Sequence, residues 1–257
     1  DSRLLNNQWY DNDSHRIEWT GGTISSNRTW SNDWDNHTLL GNVTVNDGVT
    51  LTIEAGTTIL LDPNKSLFVH GNLIADGTFE DAIDFAGTSN TPWLYLRIGG
   101  GSVDGDSDNS SLRYVVSRGA ERGLYIYRST LNLEYLTLIG NSYGIYVEES
   151  SGVVIQNSNF AGNSQFGLRN MNPGQVVSAT HNYWGSPTGP THTSNPTGDG
   201  DEVSSGVYFA HWRPPVLMDG IIPFTAGRTE TDNSTLSYDD SSGAYIRQYN
   251  NGRNVYF

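Results

Sequence analysis

Apolar and polar residues alternate along this chain in runs of a few residues, and Gly, Asn, Asp or Ser interrupts each run. From Asn42 to Phe85, Val43 and Val45, Leu51 and Ile53, Ile59 and Leu61, Leu67 and Val69, and Ile83 and Phe85 each stand two apart. A two-residue period sends successive side chains to opposite faces of extended backbone, so the pattern predicts short strands with one buried face. Asn46-Asp47-Gly48, Ala55-Gly56, His70-Gly71 and Asp76-Gly77 supply turn chemistry between them. No 3.6-residue stripe persists, which excludes long amphipathic helices.

The runs also repeat. "LRYVVSRGAERGLYIY" from Leu112, "LEYLTLIGNSYGIYV" from Leu133 and "IQNSNFAGNSQFGLRN" from Ile155 align at a spacing of 21 to 22 residues, with Gly123, Gly144 and Gly167 in register. Leu112, Leu133 and Ile155 form one apolar column, Leu138 and Phe160 a second, and Leu124, Ile145 and Leu168 a third. Such a period predicts an all-β solenoid in which each strand pairs with its equivalent one turn away. In this alignment Arg113, Glu134 and Gln156 share an outward column, Tyr125, Tyr146 and Arg169 another, and Tyr127, Glu148 and Met171 a third.

"GVTLTIEAGTTILLD", "SLFVHGNLIADGT" and "AIDF" resemble the opening coils of secreted prokaryotic right-handed parallel β-helix proteins of the pectate-lyase-like superfamily. "THNYWGSPTGPTHTSNPTGDGD" (Thr180 to Asp201) with "GDEVSSGVYFAHW" (Gly200 to Trp212) is similar to the segment that ends many of those helices. The resemblance implies a right-handed parallel β-helix over residues 42–212, closed by a C-terminal capping loop at 180–212. It is specific for fold only, because the superfamily holds lyases, hydrolases, epimerases and many surface proteins. The catalytic Asp pair with Gly-His-Gly and the Arg-x-Pro-x-x-Arg strand of its pectinolytic members are absent from this sequence. No catalytic residue is assigned, and the chain is read as a non-enzyme.

Residues 1–41 carry Trp9, Trp19, Trp30 and Trp34 and read as an N-terminal cap or docking segment. Residues 213–257 read as a strand-rich tail that either lies along the solenoid or inserts in a neighbour. Its "YDDSSG" and "NNGRNVYF" resemble the tyrosine-aspartate repeats of rearrangement-hotspot-type extracellular shells.

Of 257 residues, 28 are acidic, 14 are Lys or Arg and none is Cys. A net charge of −14 repels a phosphate backbone and argues against nucleic acid. Without cysteine there is no disulfide or thiol chemistry. No apolar run reaches the roughly 18 residues of a membrane span, and the opening at Asp1 reads as that of a mature or excised segment. The acidic, Asn- and Thr-rich, lysine-poor composition points to an extracellular or cell-surface protein. Seven sequons (Asn12, Asn27, Asn36, Asn42, Asn64, Asn109 and Asn233) are glycosylation candidates, where composition alone gives about five.

The stacked columns place Tyr125, Tyr146, Glu148 and Arg169 in one patch, a candidate for glycan contact, with the alternative that they only hold coils in register. Trp30 and Trp34 in "WSNDWDNH" are candidates for stacking on sugar rings. Asp104, Asp106 and Asp108 alternate in "DGDSDNS" as calcium-binding loops do, and an acidic solvated loop explains them equally; no cofactor is expected, with calcium at this loop as the alternative. His181, His192 and His211 have no standard zinc spacing. The expected role is a structural or adhesive module that self-associates through its ends or tails into a filament or surface layer. Glycan binding without turnover is the alternative, and a polysaccharide lyase or glycoside hydrolase the next.

Overall fold

A computed structural model describes residues 16–102 and 106–213, with the backbone alone at Asp106 and Asp108, and the backbone of three strands beyond residue 234. The first unit is a parallel β-solenoid of three sheets. The first sheet stacks Arg16–Trp19, Asn36–Leu39, Thr58–Leu61, Ile83–Gly87, Val115–Arg118, Thr137–Ile139 and Asn159–Ala161. The second stacks Gly22–Ile24, Val43–Val45, Ser66–Val69, Trp93–Ile98, Ala120–Tyr127, Tyr143–Glu148 and Phe166–Asn170. The third runs Arg28–Trp30, Thr50–Ile53, Asn72–Asp76, Ser111–Arg113, Asn132–Glu134, Val154–Gln156, Val177–Ser178 and Val207–Tyr208. The chain visits the three sheets in turn and climbs one rung per circuit, so every neighbour pair in these sheets is parallel.

The register is the one that the repeat requires. Leu124 pairs with Ile145 and Ile145 with Leu168, Leu133 pairs with Ile155, and Leu138 pairs with Phe160. Each of these columns is buried, and together with Trp93, Phe85 and their neighbours they fill the interior of the coils in one continuous core. Gly123 and Gly144 lie inside second-sheet strands. A Cβ added to Gly144 would sit 2.5 Å from the Gly167 carbonyl oxygen, so the rungs approach too closely there for any side chain.

Corners form where one residue per turn takes a left-handed conformation. After the third sheet these residues are Tyr114, Tyr135, Asn157, His181 and His211, with φ from 49° to 62°. After the first sheet Gly119, Gly140, Gly162 and Gly185 occupy the equivalent place, and after the second Gly99, Arg128 and Glu149. A left-handed side-chain-bearing residue costs roughly 1 kcal/mol. Stacking down the column offsets it: the Tyr114 and Tyr135 rings are 4.7 Å apart and 4° from parallel, with the Arg113 guanidinium 5.4 Å from the Tyr135 ring.

Polar ladders line the corners inside. Asn141, 2 % exposed, accepts from the Ala120 N–H (2.9 Å) through its side-chain oxygen and donates to the Ser117 carbonyl (3.0 Å) and to Asn163 Oδ1 (3.1 Å). Asn163 in turn donates to the Leu138 carbonyl (2.8 Å) and to Asp201 Oδ2 (2.6 Å). Asp201 ends the ladder: a carboxylate there also accepts the Asn163 backbone N–H at 3.1 Å and needs no donor beyond it. Burial raises the Asp201 carboxyl above its ordinary value, while the hydrogen bonds from Asn163 act the other way. A raised folded-state value means that the folded chain holds the proton more tightly than the unfolded one, so stability falls as pH rises above the ordinary carboxylate range. Asp201→Asn is expected to flatten that slope, which melting temperatures from pH 3 to 7 will show.

The first rungs correct the expected starting point. Arg16 pairs with Asn36 and Arg28 with Leu51, so the solenoid already runs through residues 16–39, which were expected to precede it. Trp19, Trp30 and His37 are core residues there, with the Trp30 and His37 rings 5.2 Å apart and 17° from parallel. Burial lowers the His37 pKa, against the contact with the Ser31 carbonyl that raises it. At the other end Trp184 is fully buried and stacks on Phe160 at 4.5 Å, and the Phe160 N–H donates to the Tyr183 carbonyl. Trp212 lies instead against Gly189 of the intervening loop and donates to the Pro187 carbonyl at 3.2 Å.

The second unit, Gly220–Phe257, contains a three-stranded antiparallel sheet of Thr235–Asp239, Ala244–Gln248 and Asn254–Tyr256, with Tyr238 opposite Tyr245. Its strands pair with one another.

Candidate functional site

The outer face of the second sheet carries the densest set of aromatic and cationic side chains among the described residues. Register alone builds one column of Phe68, Arg97, Tyr125, Tyr146 and Arg169, and beside it a column of Tyr95, Arg122, Tyr143 and Phe166. A third position pairs Tyr127 with Glu148. The expected patch of Tyr125, Tyr146, Glu148 and Arg169 therefore does come together on one sheet.

Its surface differs from the expected one. Tyr125 and Tyr146 are 8 % and 9 % exposed, because the Arg122 guanidinium lies over both rings, at 4.9 Å and 4.2 Å. Arg97 lies over Tyr127 at 4.6 Å and Tyr125 at 5.5 Å, and Arg169 over Phe166 at 4.7 Å. The rings meet mostly edge to face, as Tyr95 does Tyr125 and Tyr125 does Tyr146, at 5.6 and 5.4 Å. Arg97, Arg122, Tyr127, Tyr143 and Arg169 are thus the groups that a ligand would meet.

The charges on this face are unevenly matched. Tyr125 donates its hydroxyl to Glu148 at 2.6 Å, and burial, then that bond, pushes the phenol far above its ordinary value. A phenol so held does not serve as a base near neutral pH. The Nε atoms of Arg97 and Arg122 are enclosed and make no hydrogen bond. Arg122 has one carboxylate near it, Glu121 at 3.8 Å, and keeps 24 % of its side chain exposed. Planar guanidiniums spread on rings, with their edges outward, suit planar anions.

The other candidates separate. Trp30, at 1 % exposure, presents no ring to a sugar, and Trp34 is half-buried, so "WSNDWDNH" does not form a paired stacking platform. Asp104 lies outside the described residues; Asp106 and Asp108 fall in a short 3-10 turn, Asp106–Asn109, and their side chains lie outside the description too. No group of three metal-ligating side chains gathers among the described residues. His181 and His211 stack at 5.5 Å, whereas His192 packs against Phe209 instead. Among the sequons, Asn27, Asn42, Asn64 and Asn109 are exposed, but Asn27 and Asn42 accept backbone N–H bonds from Thr50 and Ser66. Asn36 is half-buried and accepts from its own sequon's Thr38 hydroxyl at 2.7 Å, while Asn12 and Asn233 lie outside the described residues. No described helix is long and apolar enough to cross a membrane.

Sequence reasoning missed Arg97 and Arg122. A bulge falls between Tyr95 and Leu96, which face Arg122 and Leu124, so strict alternation counted back from Tyr125 puts position 123 outward and not 122. Arg97 belongs to the coil before the Asp-rich loop, where Ile83 pairs with Val115, 32 positions on, and the 22-residue period is lost. No family model matches the chain, and no curated protein or solved structure does either.

Proposed function

We propose that this chain is a non-catalytic structural or adhesive module of an extracellular or cell-surface assembly, related in its coils to secreted prokaryotic right-handed β-helix proteins. The observation that carries this reading is the continuous parallel pairing of the three sheets from rung to rung, with polar ladders at the corners and a filled core. Interior strands pair on both sides, and Asn141 and Asn163 tie successive coils through their side chains, which makes a stiff body of fixed outer faces. The second-sheet face supports adhesion, since its one tyrosine-carboxylate pair is locked as a hydrogen bond rather than poised for proton transfer. Self-association through ends or tails fits an object that is already one-dimensional. Sequons and Asn-rich loops fit a surface location, and calcium at the Asp104, Asp106 and Asp108 loop would stiffen the connection between the strands Trp93–Ile98 and Ser111–Arg113.

Negative-stain electron microscopy of the purified chain is the test, paired with reducing-end and unsaturated-product assays on a polysaccharide panel. Rods or end-to-end filaments with no product are the expected result. Turnover of any polysaccharide would overturn the non-catalytic reading.

A further inference from the structure

Resting on the adhesive reading, we infer that the second-sheet face binds a linear glycan carrying an acidic group on alternate sugars, laid along the solenoid axis. Three guanidiniums stand on this face in a chain of net charge −14, so they form a local exception to a field that repels polyanions. Their arrangement is fixed by register. Arg97 and Arg122 lie on successive rungs in neighbouring columns, and both pack on the Tyr125 ring, at 5.5 and 4.9 Å. Arg169 lies two rungs beyond Arg122, in the column of Tyr146. Rungs are about 4.8 Å apart, so the second cationic position is roughly 10 Å along the axis from the first.

That interval covers two sugars of an extended chain and not one. Arg97 and Arg122 together would receive one acidic group, Arg169 the next, and the sugar between them would lie against the half-exposed Tyr143 ring. Tyr143 lies 4° from parallel with Phe166 at 6.1 Å and donates its hydroxyl to Gln165, so its orientation is fixed by the protein. Among the described residues, the one ion pair of these three guanidiniums is that of Arg122 with Glu121, at 3.8 Å. Glu148, the carboxylate at the edge of the face, already accepts the Tyr125 hydroxyl. A carboxylate and a sulfate ester would both satisfy this geometry.

The experiment is affinity electrophoresis of the full chain through hyaluronan (carboxylate on alternate sugars), keratan sulfate (sulfate without carboxylate), polygalacturonate (carboxylate on every sugar) and neutral dextran. Retention by hyaluronan or keratan sulfate, weaker retention by polygalacturonate and none by dextran is expected; which of the first two retains it names the acidic group. Arg122→Gln is expected to weaken retention about tenfold with an unchanged circular dichroism spectrum. Arg169→Gln, at the far end of the face, does the same should Arg122→Gln perturb folding. Equal retention by dextran, stronger retention by polygalacturonate, or full retention of both variants would overturn the inference. Rods without any retention also overturn it and leave the structural reading standing, whereas retention with product release upholds it and removes the non-catalytic reading.

Discussion

Gly144→Val destabilises the solenoid by about 3 kcal/mol or more and lowers the melting temperature accordingly. The new Cβ would meet the Gly167 carbonyl oxygen at 2.5 Å, with the Phe160 ring at 3.1 Å and the Asn163 amide at 3.2 Å. None of these is the free end of a flexible chain. Two are held in the core and the ladder, and the first is backbone of the next rung, so relief requires the rungs to part. Gly174→Val is the matched control, because a Cβ at Gly174 meets nothing within 4 Å. It is expected to change stability by no more than about 0.5 kcal/mol. Thermal and urea unfolding of the two variants check both values; equal effects would mean that the Gly123, Gly144 and Gly167 column is not packed as described.

The second large effect belongs to the amide ladder. Asn163→Ala removes the acceptor of the Asn141 backbone N–H and side-chain amide, both at 3.1 Å, and the donor of the Leu138 carbonyl. Each buried polar group left without a partner costs about 1–3 kcal/mol, so a loss of about 3 kcal/mol is expected by urea unfolding. Asn163→Asp keeps the shape and the acceptor but sets a second carboxylate against Asp201, whose oxygen is 2.6 Å from the present amide nitrogen. It should therefore be less stable at pH 7 than at pH 4, as protonation restores a donor. Adding Asp201→Asn to Asn163→Asp is expected to recover about 1 kcal/mol, a coupling that two independent sites would not show.

What the sequence revealed and what it hid follow from how far apart the determining residues lie. The columns through Leu124, Ile145 and Leu168 were legible because consecutive coils of 21 to 23 residues differ little in length. The first rungs were not, since their apolar content comes from Trp19, Trp30 and an interior His37, and an indole beside Asp and Asn reads as surface until its neighbours are known. The role of Asp201 was not legible, because its place at the end of the amide ladder depends on Asn163, 38 positions earlier. The candidate set on the second-sheet face changed because Arg122 precedes a bulge and Arg97 lies where the coils lengthen, Thr58 pairing with Asp84 at 26 positions and Ile83 with Val115 at 32. The tail's alternation of Tyr245 and Arg247 signalled strands, but nothing in it distinguished a strand added to the solenoid from the separate antiparallel sheet that forms.

The stacking of equivalent residues one turn apart is tested most directly by cross-linking, which a chain without cysteine permits cleanly. Arg113 pairs with Glu134 on the outer face of the third sheet, whereas Asn132 is two positions out of register with Arg113. Neighbouring parallel strands hold matched Cα atoms about 4.8 Å apart, within disulfide reach. Under mild oxidation, Arg113→Cys with Glu134→Cys is predicted to form an intramolecular disulfide, seen as a mobility shift in non-reducing electrophoresis, and Arg113→Cys with Asn132→Cys is not. A bond in the offset pair with none in the matched pair would contradict the coil register and everything built on it.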